Sequence, residues 1–164
     1  MNSKLYYTGV GSRKTPVYFL KLITMIAERL RKQNYILRSG GALGADVAFE
    51  SGAGKQKEIW YAKDTTKEAM EIAAYYHPAW EHCSDYAKAL HGRNTFQVLG
   101  FNLKTPSLCL ICWTPDGAIK HGERTRKTGG TGTAISIASD WGIPVFNLAR
   151  KGDFTRLKYY MSWI

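Results

Sequence analysis

Two glycine-rich segments hold the residues of this chain best suited to chemistry: Ser39-Gly40-Gly41-Ala42-Leu43-Gly44-Ala45-Asp46 and Thr128-Gly129-Gly130-Thr131-Gly132-Thr133. Each lies between a strand-like run and a helix-like run. Glycine accepts positive φ and lets a backbone approach a ligand closely. The helix that follows turns unpaired N–H groups and the positive end of its dipole toward the turn. Phosphate is the anion that such a turn suits. A third turn, with Gly11, Ser12 and Arg13, ends the first strand-like run. The expected ligand contacts are these three residues, then Ser39, Gly40, Gly41, Ala42 and Gly44, then Gly129, Gly130, Thr131, Gly132 and Thr133. Thr114, where the fourth strand gives way to a loop, joins them.

Asp46 and Glu50 lie four apart on the helix after the first glycine turn, which sets both carboxylates on one face. They are the candidate catalytic residues, able to grip ribose hydroxyls or attack a sugar carbon. Asp46 equally suits a cap that holds the turn through backbone N–H groups, and Glu50 alone suits a salt bridge or solvent. Arg93 and Asn94 stand in a helical stretch, either reaching a phosphate or sitting as surface residues. Trp80 and Trp113 either stack a base or join the core.

Several chemistries lack their residues. Gly9-x-Gly11 is not followed by the third glycine of a dinucleotide fingerprint, and no acidic residue closes the second strand. No phosphate-binding Lys-Ser/Thr ending and no Gly-x-Ser-x-Gly elbow occurs. Cys109 and Cys112 have the spacing of half a zinc site but lie in a strand-like run, where their side chains would face opposite sides of a sheet. His77, His82 and His91 are scattered in sequence. The expectation is no metal and no cofactor.

The elements that must position these residues alternate between strand and helix. Strand patterns cover 4–10, 35–38, 58–62, 107–113 and 143–148. Helical patterns cover 16–33, 44–52 and 130–141, most of 66–99 with a break at His77-Pro78, and a terminal segment with Tyr159, Tyr160 and Trp163. Such alternation predicts an α/β fold: a single Rossmann-like domain over 1–164, with a mostly parallel sheet and helices on both faces. The glycine turns would then share the carboxyl edge of the sheet, where such folds collect ligands. The 164 residues, 45% hydrophobic, are enough for one buried core.

The net charge of +10 favours polyanionic partners. A basic patch, with Lys120, Arg124, Arg126 and Lys127, precedes the second glycine turn and reads as a solvated loop or a mobile flap over phosphate. Three cysteines, no signal-peptide pattern and no membrane-length apolar run predict a reduced, cytoplasmic protein with no membrane partner.

At Gly11-Ser12-Arg13 and Ser39-Gly40-Gly41-Ala42-x-Gly44-x-Asp46 the chain resembles the DNA-processing protein A family. At Gly129-Gly130-Thr131-Gly132-Thr133 it resembles the LONELY GUY phosphoribohydrolases. Both belong to the SLOG superfamily of Rossmann-like nucleotide-ligand proteins. The resemblance spans about 7–148 and implies a homodimer or higher homo-oligomer. In the phosphoribohydrolases a catalytic glutamate follows the second motif; Ser136 holds that place here, and the arginine-lysine pair corresponds to Arg93-Asn94 with the lysine lost. The expectation is a binder of a nucleotide or nucleotide-derived ligand, with Arg13 and Arg93 on phosphate. The rivals are an N-glycosidase using Asp46 or Glu50 and a single-stranded DNA-binding protein using the basic flap.

Overall fold

The structure, a computed structural model, describes residues 3–163. Five strands, β1 (Leu5–Gly11), β2 (Tyr35–Ser39), β3 (Lys57–Ile59), β4 (Leu110–Trp113) and β5 (Val145–Asn147), form one sheet in the order β3-β2-β1-β4-β5. Every pairing is parallel, as the alternation of strand and helix patterns predicts. The helices are α1 (Val17–Lys32), α2 (Ala45–Ala53), α3 (Lys67–Tyr76), α4 (Asp85–Leu99), α5 (Thr131–Asp140) and α6 (Asp153–Tyr160).

Each face of the sheet has its own core. On one, Tyr7, Leu37, Ile111 and Phe146 from the strands meet Ile23, Ala27 and Leu30 of α1, Phe49 of α2 and Leu157 of α6. On the other, Val10, Leu110, Cys112 and Val145 meet Val98 and Leu99 of α4 and Ile135 and Ile137 of α5. Cys109 falls in the first core and Cys112 in the second, so strand alternation separates the two thiols. Burial pushes the Cys109 thiol up to about 12 and raises that of Cys112 as well.

The sequence boundaries shift where tertiary context intervenes. The helical stretch expected over 66–99 divides into α3 and α4, joined through the His77-Pro78 break and a short 3-10 turn, Trp80–His82. Thr66 and Ser84 supply the starts, accepting the Ala69 and Ala87 N–H groups at 3.2 and 3.1 Å. β3, β4 and β5 are shorter than the patterns over 58–62, 107–113 and 143–148, the central β4 as well as the two edge strands. Among the described residues no helix is long and apolar enough to cross a membrane.

Gly52 sets the spacing of α1 and α2. A Cβ there would collide with the Thr24 carbonyl oxygen and come within 2.7 Å of Ala27 Cβ. Gly52→Ala gains about 1 kcal/mol of helix propensity, but it forces apart two packed backbones. The expected net loss is about 1–3 kcal/mol in chemical denaturation, against less than about 0.5 for Gly130→Ala, whose Cβ meets open space.

Candidate functional site

Between β1 and β4 the chain leaves the sheet in opposite directions. β1 runs on into α1 on one face, while β4 leads to α5 on the other, although the two strands pair side by side from Thr8 with Leu110 to Gly11 with Trp113. This is the switch point at which a parallel sheet opens a crevice beyond its carboxyl ends. The crevice here is a cavity of about 500 Å³. Gly11, Ser12, Arg13 and Lys14 line it from β1, Ala42 and Asp46 from the second turn, and Thr128, Gly129, Gly130 and Thr131 from the start of α5. α4 closes it with His91, Arg93, Asn94 and Gln97.

Its floor is polar and buried. Asp46 is 4% exposed; Oδ2 accepts the Ala42 N–H at 3.3 Å, while Oδ1 makes no hydrogen bond of good geometry although N–H groups lie near the carboxylate. Burial raises the carboxyl to about 6, and the nearby Arg93 charge and the N–H groups of Ala42, Gly11 and Gly40 keep it from rising further. Gln97 is 1% exposed, and neither its oxygen nor its nitrogen finds a partner. Buried polar atoms without partners are uncommon because each loses its water for nothing. Two such side chains on one cavity floor are groups that a ligand can satisfy.

Arg93 spends much of its guanidinium on the scaffold. Nη1 donates to the carbonyls of Gly40 at 2.7 Å and Trp60 at 2.9 Å, and Nε donates to that of Leu90 at 3.2 Å. It braces the glycine turn and supplies the counter-charge to Asp46. Gly40 must lack a side chain, since a Cβ would overlap the Arg93 guanidinium. Asn94 likewise serves backbone, donating to the Gly130 carbonyl at 3.0 Å and so tying α4 to the start of α5.

The loop between β4 and α5 has internal order that composition conceals. Asp116 accepts the hydroxyls of Thr114 at 2.8 Å, Thr125 at 2.7 Å and Thr128, together with the Ala118 N–H. Burial alone would raise its carboxyl, but the hydroxyls of Thr128, Thr125 and Thr114 and this N–H hold it at about 2. This hub fixes a 3-10 turn, Arg126–Thr128, that places Arg126 and Lys127 at the cavity. Arg124 turns inward instead, into the space beside Gly132, and bonds the Tyr76 carbonyl and Ser136.

The expected site residues therefore divide. Gly11, Ser12, Arg13, Ala42, Asp46, Arg93, Asn94, Gly129, Gly130 and Thr131 line one cavity. Gly41 and Gly44, at φ of 69° and 87°, shape the turn without lining it. Ser39 is buried beneath. Thr114 bonds Asp116 and Asn147, Gly132 makes room for Arg124, and Thr133 bonds His91. Glu50 is outside the cavity, paired with Lys57 at 2.7 Å. Ser136 is fully buried, bonded to His121 at 2.7 Å and Arg124 at 3.0 Å, and does not line the cavity. Trp113 packs on Phe19 in the core and Trp80 against His77 and His91; neither lines the cavity. Sequence reasoning missed Lys14, Gln97 and Asp116. Lys14 was within reach of it, adjoining Arg13 in the same turn, whereas nothing local marks a glutamine one turn after Arg93.

The fold also gathers residues that the sequence scatters. The rings of His77 and His91 lie 4.4 Å apart between centroids, with Cys83 beside them, while His82 stays exposed. The expectation of no metal rests on the opposed side chains of Cys109 and Cys112, on the scatter of the histidines and on the lack of a second cysteine pair; the packing of α3 on α4 changes only the scatter.

No family model matches the chain, and no curated protein matches it. Among solved structures it is similar to DNA processing protein A from Helicobacter pylori, described for its single-stranded DNA binding mode. The two are 13% identical with a TM-score of 0.41, over 96% of this chain and 82% of that one.

Asp46 carries a pH signature. Its carboxyl lies near 3.8 when unfolded and at about 6 when folded, so the native state tolerates the proton and penalises the charge. The penalty is absent below pH 4, grows as pH rises through 6, and reaches about 3 kcal/mol. Asp46→Asn removes it. Relative to wild type, the variant should gain about 3 kcal/mol between pH 4 and pH 7 in urea denaturation. A difference that does not change with pH would contradict the assignment.

Proposed function

We propose that the protein binds a nucleotide or nucleotide-derived ligand in the crevice between β1 and β4. Its phosphate would lie at the N-terminus of α5, where Gly129, Gly130 and Thr131 present backbone. Arg13, Lys14, Arg126 and Lys127 ring that end with positive charge. The nucleoside would point down toward Asp46 and Gln97. The observation that carries this reading is the pairing of unsatisfied buried polar atoms, Asp46 Oδ1 and both polar atoms of Gln97, with a cationic rim above them. A bare anion site needs the rim and not the floor. A ligand with phosphate at one end and hydrogen-bonding edges at the other uses both, and a cavity of about 500 Å³ lies within the usual range for small-molecule sites.

Two features favour binding over N-glycoside hydrolysis. Asp46 is the one carboxylate lining the cavity among the described residues, and ordinary glycoside chemistry uses two. Ser136 is engaged on the other side of α5 with His121 and Arg124. A single-stranded polymer would also meet the basic rim. It has no need of a floor that accepts one nucleoside.

Calorimetric titration with nucleoside mono-, di- and triphosphates should give saturable binding at one ligand per chain. Gln97→Leu should weaken it about tenfold or more while leaving the melting temperature unchanged or raised, because the polar desolvation cost disappears. Gly130→Val should abolish it by filling the approach to α5, at a φ of −62° that valine accepts. Full affinity in both variants would dismiss the site. Oligonucleotide binding that survives moderate salt and excludes mononucleotides would assign the rim to a polymer instead.

A further inference from the structure

His77, Cys83 and His91 come from three places in the chain. His77 caps the end of α3, Cys83 follows the 3-10 turn Trp80–His82, and His91 lies within α4. One donor atom from each falls within 4.8 Å of the others. Cys83 Sγ is 3.7 Å from His77 Nε2 and 4.0 Å from Nδ1. Tetrahedral zinc, with sulfur at about 2.3 Å and nitrogen at about 2.0 Å, sets such donors about 3.5 Å apart. We propose that these three residues form a site for a thiophilic divalent cation of the zinc type, at the rim of the cavity that His91 also lines.

Two further features support it, and one bond opposes it. Thr133 Oγ1 lies 2.9 Å from His91 Nδ1; when it accepts the Nδ1 proton, Nε2 is left with its lone pair, the outer-shell arrangement that orients a ligating histidine. His77 must give up one bond to ligate: its Nδ1 accepts the Ala79 N–H at 3.0 Å, and a cation at either ring nitrogen displaces that bond, directly at Nδ1 or by moving the ring proton from Nε2. The Trp80 ring packs on both histidines, 6.1 Å from His77 and 6.4 Å from His91, and walls the cluster on one side. Mixed nitrogen and sulfur donors select zinc-like cations over calcium or magnesium, which prefer oxygen.

On binding, the Cys83 thiol releases its proton to solvent, and two neutral imidazoles and one thiolate leave the cation's site with one net positive charge. Three protein ligands leave a fourth position open to water or to an oxygen of a molecule in the cavity. The site stands whether or not the cavity holds a nucleotide. Cys83 is half-buried, in contrast to Cys109 and Cys112, which are sealed in the two cores, so a thiolate signal from the native protein reports Cys83.

The reduced protein titrated with Co²⁺ should take up one ion. Visible bands of tetrahedral cobalt should appear with a near-ultraviolet thiolate-to-cobalt charge-transfer band, and one equivalent of Zn²⁺ should bleach both. Cys83→Ser should lose the charge-transfer band, and His91→Gln should weaken binding at least tenfold. Zn²⁺ should also protect native wild-type protein from alkylation at Cys83, a readout that needs no variant. Absence of a thiolate band, its persistence in Cys83→Ser, or alkylation unaffected by Zn²⁺ would each overturn the proposal.

Discussion

The carboxylate of Asp46 and the guanidinium of Arg93, both nearly sealed from water beneath the carboxyl edge of the sheet, impose the geometry on which the rest depends. Neither charge is comfortable: burial raises the Asp46 carboxyl and lowers Arg93, and each opposes the other's shift. Arg93 also reaches the Gly40 and Trp60 carbonyls, so the same side chain that neutralises Asp46 holds the glycine turn after β2 in place. For Arg93 to reach that far, α4 must lie against the sheet end. Gly92 lets α4 also pack closely on the segment that leads into α3, since a Cβ there would collide with Thr65 Oγ1. The cavity is the space left above this arrangement once β1 and β4 have sent their helices to opposite faces.

A second polar hub acts at the other wall. Asp116 gathers three threonine hydroxyls and converts a loop rich in charge into a short, ordered arm that carries Arg126 and Lys127. The two acids are tuned in opposite directions by their surroundings. Asp116 is stabilised as an anion by donors, whereas Asp46 is desolvated with one oxygen unsatisfied. A fold that retains such a group on a cavity floor gives up stability there, which is common where a surface is kept ready for a ligand.

The layout of the fold was legible because each strand and each helix carries its own period, and parallel order follows from their alternation. The three turns were legible for a local reason as well: Gly11, Gly40, Gly44 and Gly129 do what only glycine can do at positive φ or at a close approach. Side-chain partners were not legible in the same way. Glu50 shares a helix face with Asp46, yet it goes to Lys57 on the next strand. Arg93, expected on phosphate, is largely committed to carbonyls. Arg124 leaves the basic patch to fill the space beside Gly132. Gln97 and Asp116 gain their meaning from residues far along the chain, and so does the approach of His77 and Cys83 to His91, which exists only once α3 folds back on α4.

Three turns, distant in sequence, meet around one ligand: this is the claim on which the proposed function stands. Amide chemical-shift mapping by NMR during titration with a nucleoside monophosphate tests it most directly. Perturbations should concentrate at residues 11–14, 42–46 and 128–131, with the Gln97 side-chain amide shifting in step with them. Shifts that spread over the exposed basic surface and spare these three segments would contradict it.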